Sequence, residues 1–85
     1  MAAIKAKKTQ RAIAGALALA RQAANFPASK MWLDFDEEAD VLYISLKRPQ
    51  QATDTVEVDD GEILLRYRNK ELVGITVLNA TRRYG

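Results

Sequence analysis

Residues 31–46, Met-Trp-Leu-Asp-Phe-Asp-Glu-Glu-Ala-Asp-Val-Leu-Tyr-Ile-Ser-Leu, decide the fold, because they predict two β-strands joined by an acidic turn. Apolar side chains alternate with other residues on both sides of the turn, at Met31, Leu33 and Phe35 and then at Leu42, Ile44 and Leu46. A period of two places each of these sets on one face of its strand. The stretch therefore predicts a β-hairpin with one apolar face.

The same alternation continues downstream and predicts three more strands. Their apolar residues are Val56 and Val58, then Ile63, Leu65 and Tyr67, then Val73, Ile75 and Val77. Asp59-Asp60-Gly61 and Asn69-Lys70 separate these strands with residue types that favour tight turns. Residues 47–54 contain Pro49 and no periodicity, so we predict the longest internal loop there. Gly74 interrupts a strand, which indicates a bulge or a close backbone contact.

Residues 9–25 are rich in strong helix formers and predict an N-terminal helix. Thr9 is the predicted N-cap, Asn25 can close the helix, and Pro27 prevents its continuation. One stripe of the helix is apolar, at Ile13, Leu17, Ala20 and Ala24. We therefore predict an α+β fold in which this helix packs on a five-stranded antiparallel β-meander. The predicted docking face consists of Leu33, Phe35, Leu42, Ile44, Val56, Leu65, Ile75 and Val77.

The 85 residues provide one small domain, which we place at residues 9–85 behind a basic arm at residues 1–8. The net charge of +2 conceals a split, since residues 1–25 carry five cations and no acid, and the remainder carries −3. The chain lacks His and Cys, so the commonest general base, the thiolate nucleophile and the commonest metal ligands are missing. We predict that the protein is not an enzyme and has no cofactor.

The first 25 residues also have features of a cleaved leader. Cations precede the apolar run at residues 12–20, and Ala18-Leu19-Ala20 is similar to a signal-peptide cleavage site, while the lack of acids is typical of transit peptides. The run is Ala-rich and has no polar spacer before that site, so we favour a helix of a cytoplasmic protein. It is also too short to span a membrane.

The densest charge cluster is the first hairpin turn, with Asp34, Asp36, Glu37, Glu38 and Asp40. Its opening resembles a calcium-binding loop, but Ala39 stands where that loop needs glycine and Ser45 where it needs a bidentate glutamate. Two of these carboxylates would form a glycosidase-like acid and base pair only if they straddled a cleft, and no cleft is indicated. We predict a solvated acidic turn without a metal.

Two further groups of residues suggest partners. Lys5, Lys7, Lys8 and Arg11 form a weak basic segment for nucleic-acid phosphates, without the interleaved aromatic residues that bind single strands. A second apolar set points away from the predicted core face, at Trp32, Val41, Tyr43, Leu64 and Leu78. We predict that this second set is an interface, either with another copy or with a different protein.

Residues 32–46 resemble the opening signature of a family of small prokaryotic proteins, domain of unknown function 2283, which runs roughly Tyr-Asp-x-Glu-x-Asp-x-Leu-Tyr-Ile. Phe35 stands in place of the usual tyrosine. Val58-Asp59-Asp60-Gly61 and Val73-Gly74-Ile75-Thr76, running on to Leu78-Asn79-Ala80, are similar to the rest of the pattern, so the resemblance covers about residues 31–83. It implies a small α+β domain without an established activity. Members are often neighbours of toxin-like proteins, which implies an antitoxin or partner-binding role.

Together these observations favour a cytoplasmic, non-enzymatic protein-interaction module, an antitoxin-like partner of a small toxin. A homodimer is the predicted assembly, because a domain of this size buries only a modest core by itself. A small nucleic-acid-binding protein is the alternative, and a metal-dependent activity at the acidic turn comes third.

Overall fold

The structure, a computed structural model, describes residues 7–84. It contains two helices and five strands in the order α1 (Lys7–Ala24), β1 (Trp32–Asp36), β2 (Val41–Ser45), β3 (Asp54–Val58), β4 (Ile63–Arg68), β5 (Glu71–Leu78) and α2 (Ala80–Tyr84). The strands form one antiparallel sheet. The predicted α+β class, N-terminal helix and five-stranded antiparallel sheet are confirmed.

The order of the strands is β1-β2-β5-β4-β3, so the meander is interrupted at one connection. Residues 46–53 carry the chain from β2 across the sheet to β3 instead of pairing these two strands. β5 is the longest strand and takes the central position, where it pairs on both sides. β3 is short, exposed along its length and carries Asp54 and Glu57, which suits an edge strand.

The predicted turns are present. Asn69 has a φ of 58° between β4 and β5, and Asp59, Asp60 and Gly61 have φ values of 56°, 58° and 82° between β3 and β4. Asn, Asp and Gly tolerate this left-handed region better than other residues. These residues therefore position the hairpins as the sequence predicts.

The connection at residues 46–53 lies against one face of the sheet, where it explains Gly74. A Cβ atom on Gly74 would approach Gln50 Nε2 to 2.5 Å, and this Nε2 donates a hydrogen bond to Ser45 Oγ at 2.7 Å. The register between β4 and β5 also shifts beside Gly74, between Arg66 and Tyr67. Both predicted reasons for a glycine in this strand, a close contact and a bulge, therefore apply.

Helix α1 forms as predicted but begins earlier. Lys7 and Lys8 are already helical, so the prediction of Thr9 as the N-cap is wrong. The helix ends at Ala24, where Asn25 N donates to Gln22 O at 3.1 Å, as expected for a closing residue. The predicted basic arm at residues 1–8 lies mostly outside the described residues.

The predicted packing of α1 on the sheet is wrong. The helix buries none of its residues, and the side chains of Ile13 and Leu17 are 47% and 59% exposed. Beyond Ala24, Phe26 N still donates to Ala23 O, and Pro27 then fixes the backbone φ. The link at residues 25–31 then leads to the edge strand β1, and it leaves α1 without buried residues.

Candidate interaction surface

The strand register divides the side chains of the sheet between two faces, because residues directly opposite one another point to the same side. We call one side the open face. It consists of Leu33, Phe35, Leu42, Ile44, Val56, Val58, Ile63, Leu65, Tyr67, Ile75 and Val77. All of these side chains are exposed or half-buried. Val73, which alternates with Ile75 and Val77 beside the register shift, is fully buried. The described chain therefore covers the sheet at Val73 and leaves most of the open face uncovered.

The open face extends to both edges of the sheet. On β1, Leu33 and Phe35 are 42% and 50% exposed, and on β3, Val56 and Val58 are 46% and 37% exposed. The central strands contribute half-buried side chains between these edges. A soluble monomer rarely exposes so continuous an apolar surface, which is typical of an interaction site.

We call the other side the crossover face, because residues 46–53 pass over it. Two of the three side chains that are buried among the described residues, Val41 and Thr76, lie on this face. The crossover is also fastened to the sheet, since Thr53 N donates to Tyr67 O at 2.7 Å and Arg68 Nη1 donates to Gln51 Oε1 at 2.6 Å. The chain thus covers its less apolar face.

The predicted interface residues share the crossover face, as their spacing implied. They are Trp32, Val41, Tyr43, Leu64 and Leu78. Trp32 and Tyr43 are exposed, Leu64 and Leu78 are half-buried, and Val41 is buried. The two aromatic side chains are therefore the accessible part of this group, and its role as an interface stays a prediction.

Two carboxylates of the acidic turn stabilise local structure. Asp36 Oδ1 accepts a hydrogen bond from Ala39 N at 3.1 Å, within the turn. Asp40, with a φ of 57°, accepts hydrogen bonds from the backbone N and the Oγ1 of Thr81 at 3.0–3.3 Å. Its backbone O also accepts from Ala80 N at 3.0 Å. Asp40 therefore caps the start of α2, an element that the sequence analysis missed.

The other carboxylates of this turn, Asp34, Glu37 and Glu38, are exposed. Within residues 7–84, no group of three or more His, Cys, Asp or Glu side chains is arranged to hold a metal ion.

The basic residues of α1 lie on the exposed helix. Lys7, Lys8 and Arg11 occupy its first turns and Arg21 its last turn, and the helix contains no acid. Lys5, the remaining residue of the predicted nucleic-acid segment, lies outside the described residues. None of the described helices is long and apolar enough to cross a membrane.

A shallow cavity of about 410 Å³ lies where the link after α1 meets the ends of β2 and β5. Lys30, Leu46 and Leu72 contribute to its walls, and Lys47 Nζ pairs with Glu71 Oε2 across 3.1 Å at its rim. Both charged side chains of this pair are more than half exposed. The cavity marks the junction between helix and sheet and has no buried polar group that would orient a ligand.

Comparison with protein-family models matches residues 32–80 to a family described as "Protein of unknown function (DUF2283)". Among curated proteins and among solved structures, no significant match to the chain was found. The matched segment contains all five strands, including both faces of the sheet, and leaves α1 outside. Because the match covers more than half of the 85 residues and the signature around Phe35 and Tyr43 lies within it, the chain belongs to the DUF2283 family of proteins of unknown function.

Proposed function

We propose that this protein is a non-enzymatic protein-interaction module whose docking surface is the open face of its sheet. The observation that carries this proposal is the uncovered row of apolar side chains from Phe35 on one edge strand to Val56 on the other. Burying apolar surface stabilises an assembly by roughly 25 cal/mol for each Å² removed from water. A partner that covers this face therefore gains the stabilisation that the single chain leaves unused.

The total exposed surface supports the same proposal. The chain exposes 6809 Å², whereas a compact folded monomer of this mass exposes ~5,000 Å². Its radius of gyration is 15.0 Å, against ~12 Å for a compact domain of this length. The excess area belongs to a chain whose helix and sheet each present an apolar side to solvent.

The face, and not an edge, is the favoured docking surface. Both edge strands carry acids, Asp34 and Asp36 on β1 and Asp54 and Glu57 on β3. Charged side chains on an edge oppose the addition of another strand. A partner with the same acidic edge would be repelled there, while the open face itself is almost free of charge.

A more specific form of this proposal is an antitoxin-like role in the cytoplasm, as the partner of a small toxin. It is supported by the family resemblance, since members are often neighbours of toxin-like proteins. The acidic sheet also suits a basic partner. In this role the open face would cover the partner's apolar surface, with Asp54, which shares that face, beside its cations.

The test is co-expression with the product of the adjacent gene, followed by purification of the complex and measurement of growth. Val56→Asp, which places a charge on the open face, is compared with Thr55→Asp, which adds the same charge on the other face of the same edge strand. We expect Val56→Asp to prevent complex formation and rescue from growth arrest, and Thr55→Asp to preserve both. Equal behaviour of the two variants would contradict the open face as the docking surface.

The broader proposal has its own test in sedimentation velocity at micromolar concentrations. A protein that stays monomeric throughout and forms no complex with the adjacent gene product would show that the open face is not used for interaction.

A further inference from the structure

We infer that two copies of this chain exchange their N-terminal helices, so that the apolar stripe of α1 from one copy covers the open face of the other. This inference rests on the proposed interaction function and names its partner as a second copy. The two surfaces are the amphipathic helix and the apolar sheet face, which lie uncovered in the same chain.

Helix α1 carries an apolar stripe that can cover the open face. At 100° per residue, Ile13, Leu17, Ala20 and Ala24 form one stripe, which we call the apolar stripe, whereas Leu19 lies well around the helix from it. Ile13, Leu17 and Leu19 are each about half exposed. An isolated helix of this length is only marginally stable in water, so α1 gains most of its stability by packing its apolar stripe on another surface.

The proposed pairing buries little charge. Lys8 and Arg11 lie about 150° around the helix from the apolar stripe, so they stay in solvent when the stripe is covered. Of the acids on the edge strands, Asp54 lies opposite Tyr67 and shares the open face, whereas Asp34, Asp36 and Glu57 point to the crossover face. Two copies related by a two-fold axis can bury both apolar stripes and both open faces, because each copy supplies one helix and one face.

The exposed area matches a stable dimer. Each copy exposes 6809 Å², which is ~1,800 Å² more than a compact monomer of this mass. Burial of that excess by two copies would remove ~3,600 Å², within the range of obligate homodimers. The match favours a second copy over a short peptide, which would leave α1 exposed.

The link between α1 and β1 does not place the helix on its own sheet. One further hydrogen bond, from Phe26 N to Ala23 O, follows Ala24, and residues 27–30 then line the cavity beside the ends of β2 and β5. The helix buries none of its residues in this arrangement, so its apolar stripe is uncovered. A second copy can supply the sheet that covers it.

Complementation between two variants tests the exchange. Ile13→Asp/Leu17→Asp places two charges on the apolar stripe. Phe35→Lys/Val56→Lys places two cations on the open face, where they also repel a basic helix. In an exchanged dimer each variant alone loses both contacts, but an equimolar mixture keeps one intact helix on one intact face. We expect each variant to raise the dimer dissociation constant by roughly 10- to 100-fold and the mixture to recover dimers.

The matched control is Ala18→Asp/Gln22→Asp, which has the same spacing and the same charge on the opposite side of α1. We expect it to dimerise like the parent protein. Phe35 and Val56 are exposed, so the face variant should fold, and circular dichroism checks its sheet. Leu33→Lys, on the same face and also exposed, provides a second face variant.

The outcomes separate the exchange from the interaction function. If Ile13→Asp/Leu17→Asp dimerises like the parent, the helix is outside the interface, which overturns the exchange and leaves an interaction through the open face alone. If both variants are monomeric and the mixture is too, the helix packs on its own sheet, which also overturns the exchange. A parent that is monomeric at all concentrations overturns it as well, while complex formation with the adjacent gene product would still support the proposed function.

Discussion

The two faces of the sheet are made by the same five strands, yet the chain covers them very differently. On the crossover face, residues 46–53 place Gln50 against Gly74, and Val41 and Thr76 are buried. On the open face, the apolar side chains other than Val73 are exposed or half-buried, although this face is the more apolar one. A single connection can cover only the side over which it passes. The path of that connection, and not the apolar content of a face, therefore determines what the chain covers by itself.

The largest expected difference between the faces is in the stability of the monomer. Val41→Ala should lower the free energy of unfolding by ~2–3 kcal/mol, because Val41 is only 8% exposed and its removal leaves a cavity. Val56→Ala on the open face should cost less than ~1 kcal/mol at the same dilution, since its side chain is already half in water. Urea unfolding at low protein concentration measures both values. Equal costs would show that the open face is covered within the monomer.

The next difference is in assembly. Phe35→Asp on the open face and Trp32→Asp on the crossover face replace exposed aromatic side chains of the same edge strand. We expect Phe35→Asp to weaken self-association by roughly tenfold or more, because a charge is placed within an apolar interface. Trp32→Asp should have a smaller effect. Sedimentation across micromolar concentrations decides the order, and the reverse result would make the group around Trp32 and Tyr43 the interface.

The sequence was sufficient to predict which side chains share a face and where the tight turns lie. The alternation in residues 31–46 predicts which side chains share a face, and the register confirms it at Leu33, Ile44 and Ile75. Asn69 predicts its own left-handed turn. These features depend on neighbours in the chain, so the residue types are enough to specify them.

Features that join residues far apart in the chain were not predictable in the same way. A connection as long as residues 46–53 permits β2 to neighbour either β3 or β5, and nothing local distinguishes the two. The cap of α2 joins Asp40 to Thr81, which are far apart in the chain. The apolar stripe of α1 predicts that the helix needs a surface to pack on, but not which surface. Helix docking was therefore wrong for the same reason that the strand order was missed.

A smaller effect is expected where the crossover touches the sheet. Gly74→Ala places a methyl group where Gln50 Nε2 lies, and should move this flexible side chain away and break its hydrogen bond to Ser45. The loss of one such bond costs ~1 kcal/mol. In a Gln50→Ala background the same substitution should cost little, because the space is then empty. Chemical denaturation of the four proteins gives the coupling, and purely additive costs would contradict the contact.

The smallest expected effect concerns nucleic acid, the alternative function, which would leave both faces of the sheet unused. Lys7, Lys8 and Arg11 are exposed on α1 outside its apolar stripe, so few phosphates can be neutralised together. We expect weak binding to duplex DNA that disappears at moderate salt. Changing Lys5, Lys7, Lys8 and Arg11 to Ala should abolish it and leave self-association nearly unchanged, whereas Ile13→Asp/Leu17→Asp should do the reverse.

Fluorescence anisotropy over a salt series measures the DNA binding, and sedimentation of the same samples measures assembly. The described residues of the alanine set and the two aspartate positions lie on different sides of one helix, so each set of substitutions serves as the control for the other. Salt-resistant, sequence-specific binding that survives the four alanines would make nucleic acid the principal partner. Binding that follows the dimer, lost with Ile13→Asp/Leu17→Asp as well, would instead show that paired basic helices are needed to hold the phosphates.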